Sequence, residues 1–373
     1  MSASPYTPGP RSNQAESPSG RLEQSLEQSS SRLETGYTLG RVTFAWPPNF
    51  ARVPSDEWTR APLETLALKY DTVENHGWYR NLDPTLDELA ALARDGGIVV
   101  DYSGGTGIFV DRALKRLGSR PVGFVIVDAS PKFLRLALEK LGPDPRVAFR
   151  WIRYLTDAKR LEFIHEVLPL RADAIVSTNA IHLYYDLPDT LASWARVLKP
   201  GGCALVQSGN IRNPAAPADW RIIDETVESI HRKAKAIVRK EGRYAAYRPL
   251  LEDRARLRLY ARLRRKYFLP VRPLAHYLEA LRGAGFEIEA VTCRAIEARV
   301  SDWFEFLSAY HDGVLGWVGG AEKIEGRPPT DAAVRDRIAL MRESLERVFR
   351  GRPTFTAAWT YVTASRPSTP DRV

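Results

Sequence analysis

Cysteine is nearly absent from this 373-residue chain: Cys203 and Cys293 are the only two, both in apolar, strand-like runs. That excludes a disulfide framework and a cysteine-based metal site, and it fits a reducing compartment. No stretch approaches the roughly 18 uninterrupted apolar residues that a membrane-crossing helix needs, and the N-terminus lacks the basic-then-apolar pattern of a secretory signal. The expectation is a soluble, cytoplasmic protein. Internal repeats and heptad runs are missing as well, which leaves a conventional globular core.

What is present is enough apolar material for a large core, 44% of residues, unevenly distributed. Residues 1–42 are rich in Ser, Pro, Gly, Gln and Glu, cannot bury enough surface to offset ordering entropy, and read as a disordered tail. Apolar patterning returns over 43–210, read as the core. Residues 211–266 interrupt it as a basic helical insertion. Residues 267–366 complete the core around a second insertion at about 301–350, with an aromatic-rich loop, and 367–373 form a short tail.

Within the core, apolar runs alternate with amphipathic segments. The helix Leu82–Ala93 starts at Asp83-Pro84. Strands are expected at Ile98–Tyr102, Val122–Val127, Val147–Ile152, Ala174–Ser177 and Ala204–Ser208, with helices Phe109–Leu117, Pro131–Leu141 and Leu187–Leu198 between them. A helix Pro273–Gly283, a strand Phe286–Val291, the helix Asp331–Phe349 and a strand Thr354–Thr363 follow. This βαβ rhythm predicts an α/β fold with helices on both faces of a mostly parallel sheet.

The strongest local signal is Val99-Val100-Asp101-Tyr102-Ser103-Gly104-Gly105-Thr106-Gly107, a strand running into a Gly-rich turn that opens a helix, where the backbone can approach a ligand. A dinucleotide fingerprint starting at Gly105 and Gly107 needs a third glycine where Val110 stands, which disfavours a dehydrogenase. Asp128 ends the next strand about 20 residues past the turn, the distance at which a carboxylate accepts ribose hydroxyls. It can equally serve the start of the helix opened by Ser130-Pro131.

Asp101, Gly105, Gly107 and Asp128 resemble the first two motifs of the class I S-adenosylmethionine-dependent methyltransferases. Ala172 to His182 and Ala195-Arg196-Val197-Leu198-Lys199-Pro200-Gly201-Gly202 are similar to that family's fourth-strand motif and to the turn before its fifth strand. The resemblance covers residues 65–210 closely and 267–365 loosely. It implies a Rossmann-like seven-stranded sheet with the last strand antiparallel, and S-adenosylmethionine as cofactor. The implied cofactor-binding residues are Asp101 at the methionine ammonium; Ser103, Gly104, Gly105, Thr106 and Gly107 in the turn; Asp128 at the ribose; Asp157 at the adenine amine; and Ala129 and Asn179. Ser103 stands where the family has its first glycine, and its hydroxyl either crowds the methionine end or donates to it.

Methyl transfer depends chiefly on aligning nucleophile, methyl and sulfur; a base is needed only when the nucleophile carries a proton. His182, after the fourth strand, is a candidate for that role by its pKa range, as are Tyr184, Tyr185 and His311, although a single His or an aromatic run is also ordinary packing. From Arg221 to Lys266 there are fifteen Lys and Arg against six Asp and Glu, a surplus equal to the net charge of the whole chain, +9. Such a segment closes over an anionic small-molecule substrate, is a solvated helical face, or grips nucleic acid with Tyr244, Tyr247 and Tyr260; a membrane-surface role ranks last, for want of a broad apolar face. The reading is methyl transfer to a small or medium-sized metabolite, anionic ones included, at O, N or C. The alternatives are an RNA methyltransferase and a non-catalytic binding protein of the same fold.

Overall fold

The computed structural model describes residues 42–368, and the tails expected at the two ends lie almost entirely outside them. In chain order the main elements are α1 Thr65–Asp71, α2 Asp83–Leu92, β1 Ile98–Tyr102, α3 Ile108–Leu117, β2 Gly123–Asp128, α4 Pro131–Leu141 and β3 Val147–Trp151. Then come β4 Ala172–Thr178, α5 Leu187–Val197, β5 Leu198–Ser208, α6 Ile223–Lys240, α7 Arg254–Tyr267 and α8 Leu274–Gly283. The chain finishes with β6 Glu287–Arg299, α9 Val300–Ala309, α10 His311–Leu315, α11 Asp331–Phe349 and β7 Thr354–Ser365.

The seven strands form one sheet in the order β6-β7-β5-β4-β1-β2-β3. β7 runs antiparallel to both of its neighbours, and the β1 to β5 ladders are parallel. This is the Rossmann-like sheet expected. Alternation along buried strands sorts side chains to two faces. Val99, Ile126, Phe149 and Val176 pack on one side with Leu89, Phe109 and Leu134. Val100, Val127, Ala148 and Ile175 pack on the other with Leu191, Trp194 and Leu281. The strand order reverses between β1 and β4, and open α/β sheets leave a crevice at the carboxyl ends of strands at such a point.

Three boundaries differ from the sequence expectation. β5 begins at Leu198, so Lys199-Pro200-Gly201-Gly202 belongs to the strand, where the pairing with β4 shifts register. β6 continues beyond Val291 to Arg299. It is an edge strand with an exposed face of Glu, Arg, Thr and Ala, which suppresses the apolar alternation and also protects the edge from pairing with other chains. The aromatic segment after residue 300 is not a loop: Trp303 and Leu307 are buried on one face of α9.

Helices α6, α7, α9, α10 and α11 stand over the carboxyl edge of the sheet. In α6 the apolar positions Val227, Ile230, Ala234, Ile237 and Val238 recur at helical spacing and are fully buried; this face packs on α11. A buried cation rivets the layer. Arg337 of α11 is wholly inaccessible; its guanidinium donates to the Val318 carbonyl from Nε (3.0 Å) and Nη2 (2.8 Å), to the Gly320 carbonyl, and to Asp312. Five N–H donors in a fixed fork suit this work better than an ammonium. Replacing Arg337 by Ala strands Asp312 and two carbonyls, so urea unfolding is expected to register a loss of about 3–5 kcal/mol; a change below 1 kcal/mol would show that the rivet is dispensable.

Candidate functional site

The turn after β1 is built from residues in the left-handed region: Ser103 has φ 63°, Gly105 57° and Gly107 80°. For Ser103 this costs about 1–2 kcal/mol, which accounts for glycine at that position in the family it resembles. The conformation is held by the backbone. Ser103 and Gly104 N–H groups both donate to the Val127 carbonyl (2.7 and 3.1 Å), and Gly105 N–H donates to Asp128 Oδ2 (2.9 Å). At Gly104 a Cβ would lie 2.5 Å from Asp101 Oδ2, so glycine there is a requirement of close packing.

Asp101 and Asp128 sit on either side of this turn. Both Asp101 oxygens are buried and lack a hydrogen-bond partner among the described residues. Burial, with the nearby Asp128 as a second cause, pushes its carboxyl up to about 8. Buried without a partner, the carboxyl keeps its proton; a cation brought beside it, such as the methionine ammonium of S-adenosylmethionine, would favour the ionised form. Burial also raises Asp128, but the Ser130, Gly105 and Ala129 N–H groups oppose the rise. Two of them occupy one lone pair on each oxygen, Ser130 N–H at 2.7 Å from Oδ1 and Gly105 N–H on Oδ2. A carboxylate has about four acceptor positions, so two remain for a ribose diol. The start of α4 is served instead by Ser130, whose hydroxyl accepts from Phe133 N–H at 3.4 Å. Asn179, just past the end of β4 with φ 56°, adds a buried Oδ1 without a partner among the described residues. These residues fit the cofactor.

A cavity of about 1010 Å³ opens from the turn, near the top of the ~300–1,000 Å³ typical of one ligand site and large enough for cofactor and acceptor together. Ser103, Gly105, Asp128, Ala129 and Asn179 line one part, with Phe133, which stacks on Tyr70 at 4.9 Å. The cap supplies an aromatic wall of Trp303, Phe306, Tyr310, Tyr267 and Phe268, continued by Trp78, which meets Phe306, and by Trp359 beside it.

The floor carries a short polar chain whose orientation can be worked out. Asp224 N–H donates to Asn210 Oδ1 (2.8 Å), which turns the Asn210 amide nitrogen toward His182 Nε2 (3.1 Å). Nε2 is therefore the acceptor, and the proton is on Nδ1, which donates to Ser208 Oγ (3.0 Å). Burial lowers the His182 pKa to about 4, so the ring is neutral at pH 7. Burial pushes Asp224 up to about 7, with the Asn210 side chain restraining the rise.

The cavity thus brings together Ser103, Gly105, Asp128, Ala129, Asn179, His182, Tyr184 and Tyr185. The Tyr184 hydroxyl is engaged with Ser177 (2.9 Å) and Ser103 (3.1 Å), so the extra hydroxyl at Ser103 has a partner within the protein. Asp101, Gly104, Thr106 and Gly107 shape the turn from behind the cavity wall. Asp157 is exposed on the turn of the hairpin Tyr154–Leu155/Arg160–Leu161, apart from the lining. His311 faces the Arg337 guanidinium at 2.7 Å in the cap, also apart from it. The Lys and Arg of the basic insertion do not line the cavity: Arg264 pairs with Glu228, Arg256 with Glu325, and Arg254, Arg258 and Arg262 are exposed. Sequence reasoning missed Trp78, Asn210, Asp224 and Trp359. Of these, Asn210 was reachable from its place just beyond the carboxyl end of an expected strand.

Residues 100–204 match the model of a family described as a methyltransferase domain. None of the curated proteins matches the chain. Among solved structures, the YcgJ protein of Bacillus subtilis is similar at 13% identity, over 78% of this chain and 100% of its own, with a TM-score of 0.45. A phosphoethanolamine N-methyltransferase of Haemonchus contortus, solved with S-adenosylmethionine, is similar at 16% identity over 81% and 56%, TM-score 0.44. The [4+2]-cyclase SpnF is similar at 15% identity over 94% and 96%, TM-score 0.41.

Two predictions follow from the two carboxylates. Asp128→Ala removes the paired acceptor and should abolish S-adenosylmethionine binding in calorimetry; undiminished affinity would refute the ribose assignment. For Asp101 the folded pKa lies above the unfolded 3.8, so its contribution to stability is present in acid and is lost as pH rises through about 8. Asp101→Asn should therefore be more stable than the wild type at pH 8, by about 1–3 kcal/mol, with the gain vanishing toward pH 4 in thermal melts.

Proposed function

We propose that the chain is a class I S-adenosylmethionine-dependent methyltransferase, and that its methyl acceptor is a small or medium-sized, flat and largely apolar molecule bearing one polar group. The observation that carries this reading is the aromatic wall: Trp303, Phe306 and Tyr310 of α9 and its C-terminal end, continuous with Trp78 and Trp359, along the cavity that begins at the cofactor residues. Trp303 and Phe306 stack at 5.2 Å, and Trp78 meets Phe306 edge-on at 6.1 Å, so the wall is already ordered. Aromatic faces arranged in this way favour planar ligands by offset or edge contacts.

When bound, the cofactor supplies a methyl group already activated on a sulfonium. The protein's share is to hold, align and dry the reactants. Asp128 fixes a diol, Asp101 lies behind the turn that the methionine end would meet, and the aromatic residues of the cap wall one side of the cavity. Cations at the lining are limited to Lys159 and Arg160 on the hairpin at its edge. A carboxylate or phosphate on the acceptor would meet those residues and not the arginines of 211–266.

The test is methyl transfer from labelled S-adenosylmethionine to two panels, hydroxylated or aminated polycyclic arenes and small aliphatic acids or phosphates. Transfer to the arenes is expected, and transfer confined to the aliphatic anions would overturn the proposal. Trp303→Ala should raise KM for an arene acceptor by about tenfold, as loss of a stacked aromatic surface implies, and leave calorimetric affinity for the cofactor unchanged.

A further inference from the structure

The polar floor of the cavity identifies which group handles the acceptor's proton. His182 is the obvious candidate by residue type, but both of its nitrogens are committed. Nε2 accepts from Asn210 and Nδ1 donates to Ser208, whose oxygen also accepts the Asn210 N–H at 3.0 Å. The lone pair that would take a proton is occupied, in a site where burial already disfavours an imidazolium. Tyr184 is committed to Ser103 and Ser177. Of the carboxylates that line the cavity, which include Glu162 and Asp186, Asp224 is the one tied to this frame, through its N–H on Asn210 Oδ1.

We propose that Asp224 is the catalytic base: the acceptor presents an O–H or N–H group to its carboxylate, and His182, Asn210 and Ser208 form the frame that positions it. This rests on the methyltransferase reading and names the class of nucleophile used at the same site. Asp224 is the second residue of α6, only 8% exposed, and the exposure it keeps is to the cavity. Its backbone N–H is anchored on Asn210 Oδ1, so the side chain leaves the helix start in a fixed direction. A base must be ionised near neutral pH and still hold a proton well, which a carboxyl raised by burial satisfies.

The surroundings leave Asp224 this role. On its own helix, Glu225 and Glu228 pair outward with Arg212 and Arg264. From β4 it faces the neutral His182. From α8 it faces Tyr277, whose phenol burial pushes up to about 12, with Arg272 drawing it down and the Asp224 charge adding to the rise. Across the cavity are the phenols of Tyr267 and Tyr310. No cation contributes to the Asp224 shift, whose causes are burial and Asn210 alone.

The acceptor's O–H or N–H bond breaks and its proton passes to the Asp224 carboxylate. The freed electron pair forms the new bond to the methyl carbon, and the pair of the broken carbon–sulfur bond stays on sulfur. Asp224 then releases the proton to solvent.

The test uses the full chain with 2-naphthol and 2-methoxynaphthalene as probes, alike in ring surface and differing in the transferable proton. Infrared difference titration of wild type against Asp224→Asn is expected to show a carboxyl losing its proton with a midpoint near pH 7. In calorimetry the preference for naphthol over its methyl ether should grow to about tenfold as pH rises through 7, as a charge-assisted hydrogen bond implies. It should vanish in Asp224→Asn and persist in Glu225→Gln, the outward-facing neighbour on the same helix, each checked for unchanged thermal unfolding. A flat pH response, a preference that survives Asp224→Asn, or a midpoint below pH 5 would overturn the proposal. If neither probe binds, the aromatic-acceptor reading falls by itself, and the infrared midpoint still decides for or against Asp224.

Discussion

Gln207, fully buried near the end of β5, joins parts of the chain far apart in sequence. Its amide nitrogen donates to Asn81 Oδ1 at 3.2 Å, and its carbonyl accepts from Trp359 Nε1 of β7. Asn81 is in turn held by its backbone carbonyl, which accepts from the Tyr361 hydroxyl at 2.8 Å, and Asn179 Nδ2 approaches the same Oδ1 at 3.4 Å. One amide thus ties the segment before α2, the ends of β4 and β5, and the middle of β7 into a single floor. In a low-dielectric interior each member of such a network is costly to leave unpaired, so the positions of Asn179, Trp78 and Trp359 around the cavity are set together. The cofactor end and the acceptor end share this support.

The two ends differ in how they are made. At the cofactor end the work is local: a strand stops, three left-handed residues reverse the chain, and backbone N–H groups meet Asp128. At the acceptor end nothing is local. Trp78 precedes the sheet, Asn210 and Asp224 follow β5, Trp303 lies after β6 and Trp359 within β7, and they converge because the strand order puts β7 between β5 and β6. The energetics follow the same division. The cofactor end carries an unpaired buried carboxyl and a strained backbone held by its own hydrogen bonds, whereas the acceptor end is dominated by packed rings.

This division explains what was legible in the sequence. The seven strands and the Gly-rich turn could be read because Ile98–Tyr102 and its neighbours are buried on both faces and the glycines follow a strand directly. The family match over 100–204 covers this local part. Trp359 could not be read as a cavity residue, since within a continuous apolar strand nothing distinguishes it from core. Asp224 was counted only as one of six acids in a basic segment, because charge totals ignore which residue begins a helix and faces inward. The same totals drew attention to arginines of α7 that the fold spends on Glu325, Glu228 and solvent. The end of β6 was missed because an edge strand has no second buried face to impose a pattern.

The place of β7 also bears on how the molecule comes into being. Until the C-terminal strand inserts, β5 has an open edge and β6 has nothing to pair with. Contacts of such long sequence separation form late and slowly, so a chain still leaving the ribosome would hold its Gly-rich turn and Asp128 in place well before Trp359 and Tyr361 complete the floor. The wall to which Trp359 belongs is therefore complete only once β7 has been made and inserted, and a product truncated before it lacks that side of the cavity.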